Sequence, residues 1–92
     1  MQPSFVYQPS QLDSLVDQVV AAFADGAPEI VLDLDSLTRL DTDGVRGLIL
    51  LLRRSRESAG EIVLKVTRPE IVRSLHVMAL DRLFRVTGAV AA

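Results

Sequence analysis

Few side chains in this sequence are of a type and spacing that does chemistry. Asp33 and Asp35 flank Leu34 two positions apart, at the period of a strand, so both carboxylates leave one face. Such a pair can do acid–base work or hold a cation. At the end of a strand it more commonly accepts hydrogen bonds from loop amides, and loop support is the role we favour for both. Thr42 stands in Asp41-Thr42-Asp43-Gly44, just before an apolar-periodic run. That is the place of an N-cap, with Asp43 in the first turn where the helix dipole favours negative charge. The hydroxyl can simply cap the helix, contributing ~1 kcal/mol, and the residues alone favour that. It can also accept a phosphate, adding roughly −2 charge beside free helix amides. The helix tolerates such a group, whereas a partner packed on the same end meets a hydrated dianion and loses affinity. His76, the single histidine, lies beside the apolar stripe of a helix and reads as a boundary residue. A triad on Thr42 lacks a histidine base nearby in sequence. With no phosphate-cradling glycine loop, nucleophile elbow or metal-ligand cluster, no catalytic residue, metal or cofactor is expected.

The elements that must position these residues follow from periodicity. Ile30 to Leu34 is a short run rich in β-branched residues, as in a strand covered on both faces. A polar connection leads to a helix from about Asp43 to Ser58, with Val45, Leu48, Ile49 and Leu52 on its core side. Leu50 falls nearly opposite, in a stripe with Arg46, Arg53 and Glu57, and Arg53 and Glu57 make an i,i+4 pair. An exposed Leu50 is either incidental or a docking contact flanked by arginines. Upstream, Ser4 to Gln8 is a candidate edge strand between Pro3 and Pro9. Ser10 reads as the cap of a first helix ending near Ala24, with Leu12, Leu15, Val16, Val19, Val20 and Phe23 on one side. Downstream, Gly60 reads as the left-handed residue closing the second helix. Ile62 to Val66 is a strand, and Pro69 opens a third helix that buries Ile71, Val72, Leu75 and Met78. A further turn at 80–84 and a short strand at Phe84 to Thr87 follow. The class is α/β: a small, mostly parallel sheet of about four strands with three or four helices.

Ninety-two residues make one expected domain, 1–92, with room for a single core. No clustered basic face suggests nucleic acid. Residues 1–44 carry eight acids against Arg39 alone, and residues 45–92 nine bases against four acids. Neighbouring elements of opposite sign account for such a split; a polarised surface that orients a partner is the other reading. The absence of cysteine suits a cytoplasmic chain. No apolar stretch approaches the ~20 residues of a membrane span, so no direct insertion is expected.

The order of elements and the residues in them resemble the STAS domain, the sulfate transporter and anti-sigma factor antagonist family. The strongest part is Val31-Leu32-Asp33-Leu34-Asp35 with Leu40-Asp41-Thr42-Asp43-Gly44. Support comes from Leu51 to Arg56, from Gly60 before an apolar strand, and from Arg68-Pro69-Glu70 through Phe84. The resemblance covers roughly Ser10 to Val86. It implies a non-catalytic module that binds an anti-sigma factor or kinase, with Thr42 as phosphoacceptor or partner contact. Asp41, Asp43, Gly44, Arg46, Leu50 and Arg53 would then be the partner-binding surface. Three features depart from the family pattern: Asp43 stands where Ser or Thr is usual, Arg46 replaces a frequent small residue, and both ends are short. The Asp-Thr-x-Gly motif is also similar to that of the cytoplasmic accessory subunit of a bacterial lipid-asymmetry ABC transporter. There the threonine meets the ATPase subunit and needs no phosphate.

Overall fold

The apolar runs become four strands that pair side by side in chain order. A computed structural model describes residues 3–88. Strands β1 (Ser4–Val6), β2 (Glu29–Asp33), β3 (Glu61–Lys65) and β4 (Arg85–Thr87) form one sheet in the order β1-β2-β3-β4, every neighbouring pair parallel. The connections are helices α1 (Leu12–Ala24), α2 (Thr42–Glu57) and α3 (Pro69–Val77), with 3-10 turns at Pro9–Gln11 and Leu80–Arg82. This is the α/β architecture the periodicity predicts.

The register decides which side chains meet the helices. Phe5, Leu32, Leu64 and Val86 form one row and Ile30 with Ile62 the next. These pack with Leu15, Val19, Phe23, Leu48, Leu51, Ile71 and Leu75 in one core. The expectation that β2 is covered on both faces is overturned. Its other face carries Glu29, Val31 and Asp33, all only half-buried, and neighbouring Val6 is 52% exposed. The alternation of charge with apolar residues was the stronger signal, since a one-faced strand reads with period two. Val63 is buried on that open face because Arg85 reaches across β3 to within 3.5 Å of Glu29.

Several helix details differ from expectation. Ser10 does not cap α1: the chain enters through the 3-10 turn, and Gln11 takes the cap position without a side-chain bond. Leu15, Val19 and Phe23 face the core, while Val20 is exposed. In α2 the buried stripe is Gly44, Gly47, Leu48, Leu51 and Ser55, with Val45, Ile49 and Leu52 half-buried beside it. Gly44 and Gly47 hold inward positions because Leu40 and Tyr7 come too close for a side chain, and Ser55 is buried with its hydroxyl donating to the Leu52 carbonyl; this rotates the face from the predicted one. Leu50 is consequently half-buried rather than exposed. Arg54, not Arg53, pairs with Glu57, at 3.2 Å. Ala59 (φ 55°) supplies the left-handed residue after α2. Gly60 is needed instead for space, since a Cβ there would overlap the Phe23 ring. Met78, expected inside, is the exposed C-cap of α3.

Candidate functional site

The start of α2 is built by its own first residues. Asp41 is extended (φ −98°, ψ −176°), and its Oδ1 accepts a hydrogen bond from the Gly44 amide at 2.9 Å. Asp41, rather than Thr42, is therefore the N-cap. A carboxylate one residue outside the helix reaches the third helical amide, which a residue already inside the helix cannot do. Thr42 is the first helical residue, exposed, and no hydrogen bond occupies its hydroxyl among the described residues. Its side chain is thus relieved of the capping role.

Around it lie Asp41, Asp43 and Arg46, all exposed, while Gly44 is buried beneath them against Leu40. Arg53 is exposed further along α2, and Leu50 is half-buried. The helix start thus gathers Asp41, Thr42, Asp43 and Arg46; Leu50 and Arg53 stand apart from it along the helix. Arg39, Leu40, Asp41, Thr42, Val45 and Arg46 line an open groove of about 570 Å3, closed on another side by Met78.

Below the helix start lies a residue that sequence reasoning passed over. Tyr7, just beyond β1, is fully buried and donates its hydroxyl to the Gly44 carbonyl. Its ring fits because Gly47 has no side chain, and a Cβ there would collide with the phenol oxygen. Burial, and then the negative charge of Asp41, push the Tyr7 pKa up to about 12, with the Leu48 amide pulling the other way. Tyr7 thereby remains a neutral donor. Gly44 and Gly47, one helical turn apart in the predicted α2, were the available sign that something approaches that face closely.

Asp33 and Asp35 hold the loops above the sheet. Asp33 Oδ1 accepts from the Asp35 amide at 2.8 Å. Asp35 accepts from the Thr67 amide at 2.7 Å and from the Thr67 hydroxyl at 2.9 Å. Those Thr67 bonds, with Lys65 nearby, hold the Asp35 carboxyl below its ordinary range. The pair's oxygens are directed at loop amides, not at each other. His76 is exposed and meets Asp81 at 2.9 Å, away from the groove lining. Among the described residues no cluster of three or more acidic, histidine or cysteine side chains could hold a metal ion. No helix among them is long and apolar enough to cross a membrane.

Comparisons with known proteins agree on the fold. Residues 7–87 match the family described as "Mlab, STAS domain". The chain is similar to the crystal structure of a proposed anti-sigma factor antagonist from Thermotoga maritima. The TM-score is 0.67 at 17% identity, over 92% of this chain and 70% of that one. With the NMR structure of the same Thermotoga protein the TM-score is 0.69 at 19% identity, over 89% and 66% of the two chains. At such identities the likeness to the solved structures is one of fold.

Proposed function

The chain belongs to the STAS family, and on that premise we propose that it is a protein-interaction module of the anti-sigma factor antagonist kind. It binds an anti-sigma factor or kinase through the N-terminal end of α2 and is released by phosphate on Thr42. The observation that carries this reading is the free, exposed Thr42 hydroxyl on a helix start whose cap is supplied by Asp41. A phosphate can be added there without undoing the cap. Asp41, Asp43 and Arg46 surround that hydroxyl as contacts, with Leu50 and Arg53 further along the same helix; Gly44 gives them a close-packed base.

A second reading is the accessory subunit of a bacterial lipid-asymmetry ABC transporter, in which the same helix end stabilises the ATPase subunit without phosphorylation. Asp43 favours it, since its carboxylate beside Asp41 repels a phosphate, and so does the Mlab description of the matching family.

Incubation with ATP and a cognate anti-sigma kinase separates the two. The first reading predicts a mass gain of about 80 Da at Thr42, and Thr42→Glu then binds the partner more weakly while its melting curve is unchanged. An unmodified protein that binds an ABC ATPase tightly instead overturns the first reading in favour of the second. Undiminished binding by Thr42→Glu reduces Thr42 to a structural residue.

A further inference from the structure

Of the exposed large hydrophobics among the described residues, Val6 and Val20 stand on β1 and α1, whereas Val77, Met78 and Leu83 belong to one stretch, the end of α3 and the 3-10 turn after it. From that stretch Met78 reaches the groove beside Thr42 and joins Leu40 and Val45 as its apolar lining. The charged lining is Arg39, Asp41 and Arg46. Neither arginine forms an ion pair among the described residues, and Asp41 turns one oxygen to the Gly44 amide. Two cations against one carboxylate leave this groove with a positive excess, Asp43 lining instead the neighbouring hollow beside Pro9 and Ser36.

Resting on the docking reading above, we infer that this groove receives an amphipathic segment of a protein partner that carries both apolar side chains and carboxylates. The apolar side chains lie against Leu40, Val45 and Met78, where desolvation supplies affinity. The carboxylates meet Arg39 and Arg46, which give orientation and speed of encounter. The same geometry defines the release step. A phosphate on Thr42, carrying roughly −2 charge, reverses the sign of the lining and repels those carboxylates. Charge reversal, beyond bulk, then discharges the partner. The α3 corner enters the docking surface through Met78, although two helices and a strand, α2, β3 and α3, separate it from Thr42 along the chain.

The probes are two synthetic amphipathic peptides of equal length, one of leucine and glutamate, the other of leucine and lysine. Each is titrated into the 15N-labelled protein up to millimolar concentration while amide shifts are followed. The Leu/Glu peptide should shift residues 39–46 and Met78, and the Leu/Lys peptide should not. Arg46→Glu should weaken the Leu/Glu peptide roughly tenfold, and Met78→Asp should do likewise. Arg39→Glu with Arg46→Glu should transfer preference to the Leu/Lys peptide, a gain that a misfolded variant cannot show. Equal response to both peptides, shifts confined to other residues, or none at all overturn the proposal. So do concentration-dependent shifts at the groove without peptide, which would assign it to a second copy of the chain. If Thr42→Glu releases a natural partner while both peptides bind alike, docking stands and this inference falls. If the Leu/Glu peptide maps to the groove but ignores Thr42→Glu, the groove stands and the phosphate switch falls.

Discussion

A single phenol sets the height of α2 against the sheet. The Tyr7 hydroxyl donates to the Gly44 carbonyl, and Gly47 leaves the space it fills. The contact spans 37 positions of sequence, so no local pattern could announce it. Tyr7→Phe removes a buried donor and should cost about 0.5–1.5 kcal/mol. Gly47→Ala drives a methyl into the phenol oxygen and should cost about 1–3 kcal/mol. Without that oxygen, the new methyl meets the Tyr7 ring carbon at 3.3 Å and Leu12 at 3.2 Å, tight but accommodable contacts. Gly47→Ala should therefore cost clearly less when combined with Tyr7→Phe, a coupling read from a double-mutant cycle of urea unfolding curves. Additive losses would show that the hydroxyl does not set the packing. The cap was half legible at this scale. Asp41 and Thr42 are both good caps by type, and what separates them, which one stands outside the first turn, is settled by the backbone rather than by the side chain.

Between elements, the loops after β2 and β3 are joined by one carboxylate. Asp35 accepts both polar hydrogens of Thr67, beside the ladder bond from the Leu34 amide to the Lys65 carbonyl at 2.9 Å. Folding holds this carboxyl in its ionised form, so its pKa lies below the ordinary 3.8. The stabilisation is complete above that value and is lost as pH falls through the lower folded one. Asp35→Asn should lower the melting temperature near neutral pH. The gap to the parent should close under acid, as the parent alone loses the contribution. A gap independent of pH would show that shape, not charge, makes the joint. The strands were readable because period two survives in five-residue runs such as Glu29–Asp33. The inward face of α2 was not, because a hydrophobicity pattern gives Gly44, Gly47 and Ser55 no weight although all three are buried. Gly60 misled for a related reason: its type suggested a backbone role, whereas Phe23 demands its size.

Across the whole molecule, the acidic first half and basic second half meet over the sheet. Glu29 reaches Arg85 at 3.5 Å, and Asp33 stands beside Lys65 in register. Part of the charge split is thus internal complementarity between neighbouring strands. Arg39 and Arg46 form no such pair among the described residues, and on the proposed reading they meet a partner. The fold class was legible from the order of elements, since strand and helix runs alternate with short connections. The groove was not, because Met78 enters it from a helix end that periodicity had placed inside. Docking through the α2 end is tested most directly by amide hydrogen exchange of the protein alone and in complex with a cognate anti-sigma kinase or ABC ATPase. The predicted result is slowed exchange at residues 39–46 and at Met78. Slowing confined to the open sheet face around Val6 and Val31, with residues 39–46 unchanged, would contradict it.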